Sequence, residues 1–449
     1  MLLSKNLRGR LFPDQWSVWL GRVAFSSFVM VMISGVFLLF HYDQSTDVVR
    51  YEGPYLPLAG TEMSQALAST LKISFEVRGG LLMRQVHHWG TLVMAAAIML
   101  HLLHVFFTGA YRGEHKVRWL VVVGLLVTTM AAGFTGAVLP DDLLSGTSLA
   151  IFDGVVKSTP FIGTWLSYVL FGGSAIERLY PLHVYVLPVV MVGLFVVSGM
   201  LGRGRRSRAA LVKSGGFFLM VSGVLLVMAA TATINPIWLY GPADPASGSA
   251  GASPEWYLAF LDGALRLVPP GWEFVWLGRT WSVAVLLPVI AGSMFFVVVA
   301  AYPFIEARFK PGSKFLERPR DNPTRTGIGV AGMIFYGVLW MAASADTIAV
   351  RFHVTFEGVL HTFQVLVLLG PVIGFLVTRS LCQALRDRER EIAEEGAETG
   401  VIIRTAEGGY REITRRLPLE PARRSALLDR GAEPAKDPVG VGSERVVVD

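Results

Sequence analysis

Cys382 is the only cysteine in 449 residues. No internal disulfide can form, and no cysteine-ligated metal cluster can be built within the chain. An iron–sulfur centre, if one is needed, has to sit on a partner. Charge is scarce as well: charged residues make up 16% of the chain, where a soluble protein carries about a quarter. Residues 1–17 lack an apolar core ending in a small-residue cleavage site, so no cleavable signal peptide is expected there. That segment reads as a short amphipathic lead-in along a membrane surface. There is also no internal repeat of the kind that marks inverted-repeat transporters.

What replaces charge is hydrophobicity. Apolar residues reach 53% and mean hydropathy is +0.51. They come in eight blocks, at roughly 18–40, 83–107, 117–138, 182–201, 215–233, 281–303, 327–345 and 358–378. Each is long enough to cross a hydrocarbon core of about 30 Å as a helix. Gly, Ser or Thr occurs in every block, as in membrane helices that pack closely. The expected fold is therefore all-α, an integral membrane protein with eight transmembrane helices.

The basic residues fall in alternate connections. Lys5, Arg8 and Arg10 precede the first block, and Arg112, Lys116 and Arg118 follow the second. Arg203, Arg205, Arg206, Arg208 and Lys213 follow the fourth; Arg308, Lys310, Lys314, Arg318, Arg320 and Arg325 follow the sixth. The positive-inside rule places these on the cytoplasmic side, with both termini. The opposite connections carry acids: Asp43, Asp47, Glu52 and Glu62, then Asp141, Asp142 and Asp153. The net charge of +6 thus reflects a solvated cytoplasmic face and calls for no nucleic acid. Beyond about residue 380 the chain turns polar and reads as a cytoplasmic helix followed by a loosely ordered tail.

Ionisable residues at bilayer depth are costly and mark function. His87 and His101 are fourteen residues apart on the second span. That spacing returns to nearly the same helix face after about 21 Å. His183, at the outer end of the fourth span, matches the depth of His87 at the outer end of the second. Neutral imidazoles on facing helices are a standard way to hold haem iron, so His87 and His183 are expected to hold an outer haem. A lone membrane histidine is more commonly a packed residue or a proton relay; the fourteen-residue repeat and the depth-matched partner set this group apart. His88 points about 100° away from His87 and reads as structural. His104 could meet a propionate, a lipid phosphate or nothing. His41, His115, His353 and His361 have surface or interface roles by default.

Several motifs resemble cytochrome b of the bc1/b6f family. They are Arg84-Gln-Val-His87 with His101, the loop Leu139-Pro140-Asp141-Asp142-Leu143-Leu144-Ser145-Gly146, and Pro254-Glu255-Trp256-Tyr257. The actinobacterial branch is resembled in Asn235-Pro236-Ile237-Trp238, in Gly263-Ala264-Leu265-Arg266-Leu267, and in the run from Arg318 to Arg325. The likeness implies a haem-binding four-helix bundle in residues 1–210, a region with the quinol-site motif in 211–380, and a polar cytoplasmic tail in 381–449. It implies haem b as cofactor and menaquinol oxidation at the outer face, with one electron passing to a Rieske iron–sulfur subunit and the other crossing through two haems. A c-type cytochrome subunit, membrane lipid, a second copy of the complex and a terminal oxidase are the further partners implied, in a bacterial plasma membrane. Carried over residue by residue, Glu255 accepts the quinol proton, Tyr257 lines the quinol pocket, Arg84 meets a haem propionate, and Gly21, Gly35 and Gly136 let backbone approach the haem faces. A plainer role is also open: Glu255 could only cap a short helix, and Trp256 and Tyr257 could only join an interfacial belt.

The inner half departs from the family pattern. The second ligand of the fourth span should fall fourteen or fifteen residues after His183, at Val197 or Ser198, and Pro188 favours the Ser198 register. The inner-haem glycine of the third span is Val122. His104 stands where the family has an arginine, and the run Gly202-Arg203-Gly204-Arg205-Arg206 has no histidine. Ala137 replaces a common tyrosine near the outer site. The expectation is a complete outer haem site and an altered or lost inner one.

Overall fold

The structure, a computed structural model, describes residues 16–202, 208–244, 246, 255–309, 317–406, 408–415 and 447–448. The amphipathic lead-in expected before the first span, the basic run at 203–206 and most of the tail lie outside the described residues. Eight helices are long and apolar enough to cross a membrane, and the chain is a multi-pass membrane protein. Exposed Ile33, Val189, Met294 and Leu368 on these helices suit a surface in contact with lipid.

Two compact units divide the chain: residues 1–316 with 333–370, and residues 317–332 with 371–449. In the first, α1 (Trp16–Leu39) leads to a small hairpin, β1 (Val48–Arg50) and β2 (Glu62–Ser64), and then to α2 (Gln65–Phe75). Gly79, at a φ of +75°, turns the chain into α3 (Gly80–Thr108). A Cβ on Gly80 would overlap the Ile73 carbonyl, so α2 and α3 meet through bare backbone. Gly109, at a φ of +68°, closes α3 with its N–H on the Phe106 carbonyl. Next come α4 (Lys116–Val138), α5 (Leu143–Lys157), α6 (Gly163–Phe171) and α7 (Ala175–Pro181). Asp142 caps α5 by accepting from Ser145 N–H.

The fourth span starts earlier than its apolar run suggests, at Ala175 rather than near 182. A wide turn over Leu182–Val186 joins α7 to α8 (Leu187–Leu201), with Leu187 N–H bonded to the Leu182 carbonyl. Pro188 explains it: a proline has no N–H for the carbonyl four residues back, and the π-type turn absorbs that loss. His183 sits inside this turn.

Helices α1, α3, α4 and α8 make a four-helix bundle, with α9 (Arg208–Thr231) packed on α1 and α3. We call the His87 end of this bundle outer and the His101 end inner. After α10 (Ala259–Leu267) and the exposed hairpin β3 (Glu273–Trp276) and β4 (Arg279–Ser282), α11 (Val283–Phe309) runs back along the bundle. Arg112 is no solvated loop cation: it pairs with buried Glu306 on α11 through Nε at 3.0 Å and Nη2 at 2.8 Å, and the Tyr111 hydroxyl donates to the same carboxylate at 2.6 Å. Such a pair is retained only where its hydrogen bonds are complete. Helix α12 (Pro323–Ala342) contributes Leu339, whose carbonyl leaves no room for a Cβ on Gly263. Helix α13 (Ala345–Phe352) brings Asp346 within 3.3 Å of Arg266, which also holds Asp262 at 2.9 Å.

In the second unit Arg325 is buried and pairs with Glu317 at 3.2 Å, while Arg320 meets Glu389 at 3.0 Å. The last helix, α14 (Phe356–Glu395), runs well past the expected end of its span. The start of the tail is not loosely ordered: β5 (Ala397–Arg404) and β6 (Tyr410–Arg415) pair antiparallel. Alternating β-branched residues such as Val401, Ile403 and Thr414 favour this pairing over coil.

Candidate functional site

Three loop contacts fix the outer end of α3. The Gln85 amide both donates to the Ile234 carbonyl and accepts from Ile234 N–H, each at 2.9 Å. Trp89 Nε1 donates to the Ala232 carbonyl at 2.8 Å, and Arg84 Nη2 to the Asn235 carbonyl at 2.7 Å. The segment containing Asn235-Pro236 is therefore a clamp that sets the rotation of α3, and with it the direction of His87.

Between α1, α3, α4 and α8 lies a cavity of about 310 Å³, lined by Gly35, Arg84, His87, Gly136, His183, Glu255 and Tyr257 among others. The rings of His87 and His183 face one another across it, 6.2 Å apart centre to centre. Two imidazoles on opposite sides of one iron, each with a metal–nitrogen bond of about 2 Å, stand about 6 Å apart. The far nitrogens are already committed. His87 Nδ1 lies 3.0 Å from the Val31 carbonyl, which can only accept, and 3.2 Å from Ser34 Oγ. His183 Nδ1 lies 3.1 Å from Thr135 Oγ1, whose own proton goes to the Ala131 carbonyl at 2.9 Å. Both Nδ1 atoms thus donate, which leaves both Nε2 lone pairs for a metal.

Gly35 and Gly136 flank the pair. A Cβ on Gly35 would lie 3.1 Å from His87 Cε1, and one on Gly136 would lie 2.6 Å from His183 Cε1. Each glycine leaves the space its neighbouring imidazole occupies. Arg84 is buried, and its Nη1 has no hydrogen-bond partner in the protein. A buried donor left unmade costs roughly 1–3 kcal/mol, and more when charged, so a guanidinium lining this cavity is built for an anionic group. The donor set, the glycine cradle and the open Nη1 of Arg84 together fit a haem with its propionates. Nearby, burial raises the Asp142 carboxyl above the usual range, against the opposing pull of its Ser145 bonds and of Arg84.

Glu255 reaches the same cavity and places Oε1 2.6 Å from His88 Nε2. Its backbone carbonyl accepts from Leu258 and Ala259, so it also starts the turn into α10. Tyr257 is fully buried, and burial together with the neighbouring Glu255 carboxyl holds its hydroxyl above the ordinary range. The Tyr336 hydroxyl donates to the Tyr257 carbonyl at 3.0 Å. The Tyr257 hydroxyl occupies the space a Cβ on Gly133 would need.

Of the residues singled out from sequence, Arg84, His87, His183, Gly35, Gly136, Glu255 and Tyr257 come together. His101 and Gly21 do not line this cavity: His101 is buried farther along α3, and a Cβ on Gly21 would meet nothing within 4 Å. Two site residues escaped the sequence reading. His88 was taken as structural because it points away from His87, and that direction is the one that reaches Glu255. Gly133 carried one available signal, its place three residues before Gly136 on the same helix.

The inner half of the bundle has a different content. Phe195 of α8 meets Phe28 and Phe25 of α1 at 4.8 and 5.6 Å between ring centres. A Cβ on Gly124 of α4 would touch Leu194 at 3.7 Å. Val122, Leu126, Ile98 and Leu102 are buried in the same apolar core.

Comparison with known proteins finds this chain similar to cytochrome b sequences. A family model described as cytochrome b (N-terminal)/b6/petB matches residues 92–242. The cytochrome bc1 complex cytochrome b subunit of Streptomyces coelicolor is 40% identical over 440 residues, covering 92% of this chain and 80% of that protein. Its namesake from Mycobacterium tuberculosis is 40% identical over 432 residues, covering 90% and 78%. The subunit of Corynebacterium efficiens is 37% identical over 431 residues, covering 90% and 79%. A solved hyperthermophilic respiratory Complex III chain shares the fold, with a TM-score of 0.59 at 16% identity over 84% of this chain and 98% of that one.

Proposed function

The chain belongs to the cytochrome b family of cytochrome bc1 complexes, and from that premise we propose that it is the quinol-oxidising, haem-bearing subunit of a respiratory quinol–cytochrome c oxidoreductase. The observation that carries the proposal is the facing pair His87 and His183, with both Nε2 atoms left for a metal, in one cavity with Glu255. When bound there, haem b supplies a reversible one-electron iron centre.

The rest is the work of this chain's side chains. His87 and His183 would hold the haem iron, Gly35 and Gly136 leave room for their imidazoles, and Arg84 would meet a propionate. Glu255 takes a proton from the quinol hydroxyl at the cavity edge, and its carboxyl is held in position by His88 Nε2. Tyr257, packed against Gly133, forms a wall of the quinol pocket.

The substrate class is menaquinol. The partners are a Rieske iron–sulfur subunit, which supplies the cluster that a chain with one cysteine cannot build, and a c-type cytochrome subunit. The complex is a homodimer in the bacterial plasma membrane, able to join a terminal oxidase, with both termini of this chain cytoplasmic. Residues 1–210 are its haem-binding part, 211–380 carry the quinol motif, and 381–449 form the cytoplasmic tail.

The test is quinol oxidation by the purified complex carrying Glu255→Gln. Loss of a positioned proton acceptor is expected to lower kcat by roughly 10²-fold or more, with haem content unchanged. A variant that keeps the full rate would remove Glu255 from this role.

A further inference from the structure

We propose that this chain holds a single b haem, at the His87–His183 site, and that the inner half of its bundle is an apolar plug closing the place of a second. The inference rests on the outer-site reading above. Helix geometry sets where a second iron would lie, since His101 repeats the face of His87 about 21 Å further along α3. On the facing helix the matching residue is Ser198, fifteen positions after His183, or Val197 at fourteen. Val197 is 40% exposed and so turns outward from the bundle. A serine hydroxyl is not among the side chains that hold haem iron, which are His, Cys, Met and Tyr.

Missing ligands alone would leave a gap, and the structure shows packing instead. Phe195 lies three residues before Ser198 on α8 and spans to Phe25 on α1, 5.6 Å between ring centres; its other partner, Phe28, lines the outer cavity, so that contact closes the cavity's floor. Leu194 closes the other side against α4 at Gly124. Val122, where a glycine would be needed to admit a flat macrocycle, is 7% exposed and packs with Leu125 and Leu126 in the same core. A porphyrin entering here would have to displace the half-buried Phe195 and Leu194 and the buried Val122.

The outer half shows the opposite choice at each equivalent point. Gly136 stands fourteen residues from Val122, His183 fifteen from Ser198, and a cavity replaces the aromatic bridge. Ligand, glycine and packing change together at one depth. The bundle therefore offers no ligand pair for a second iron at the inner depth.

The experiment is the ratio of non-covalent b haem to chain in the purified wild-type complex, by pyridine haemochrome spectrum and quantitative amino-acid analysis. One b haem per chain is expected. His101→Ala should leave both the ratio and the optical spectrum unchanged, whereas His183→Ala should abolish the haem. Two b haems per chain, or haem loss in His101→Ala, would overturn the inference while leaving the outer site standing. No haem in the wild type would overturn the outer-site reading as well.

Discussion

The same four helices make two unlike halves. At the outer end, His87 and His183 face each other 6.2 Å apart between Gly35 and Gly136, and an unpaired guanidinium nitrogen of Arg84 borders the space. Farther in, Phe195 crosses to Phe25, and Leu194 lies against Gly124. What distinguishes the halves is the identity of about four side chains, because glycine and histidine keep a cofactor-sized space open where valine, leucine and phenylalanine fill it. A helical bundle thus sets the depth of a redox site by backbone geometry, and whether the site exists by a few side-chain volumes.

Substitutions that exchange the character of the halves should show this. The largest effect is expected from Gly136→Leu, whose side chain would take the space of the His183 ring; b haem should be lost, as read from the absorbance of the purified complex. The mirror change Val122→Gly, in the inner half, should leave haem content as it was. Phe195→Ala removes a half-buried ring and should cost less than the roughly 3–5 kcal/mol of a fully buried phenylalanine, seen as a lowered Tm with the haem spectrum intact. Arg84→Leu should weaken haem retention by roughly 1–3 kcal/mol, the range for a lost buried hydrogen bond, measured as faster haem transfer to apomyoglobin. The smallest effect is expected from His88→Asn, which loosens Glu255 without removing it. Its kcat for quinol oxidation should fall by about tenfold, for a hydrogen bond worth roughly 1.5 kcal/mol, with haem content unchanged.

Much of this was legible in the sequence, for reasons of geometry. Bilayer thickness fixes span length, so eight apolar blocks sufficed to anticipate eight spanning helices. Helix periodicity put His87 and His101 on one face, and depth matched His183 to His87. The motif residues Glu255 and Tyr257 line the same cavity as the two histidines. What escaped depends on irregular backbone. The turn over Leu182–Val186 follows from Pro188, but its position could not be read from hydropathy. The pairing of His88 with Glu255 depends on how the chain between α9 and α10 returns to α3, which no periodic pattern encodes. The proposed loss of the inner site was half visible: the sequence carries Ser198 and Val122 at the positions in question, and only the structure places Phe195 and Leu194 beside them.

The most direct test of the contrast between the halves is an optical redox titration of the b-type absorbance in the purified complex. A single one-electron step with one midpoint potential is the predicted result. Two resolved steps of comparable amplitude would show a second b haem in the bundle and contradict the account.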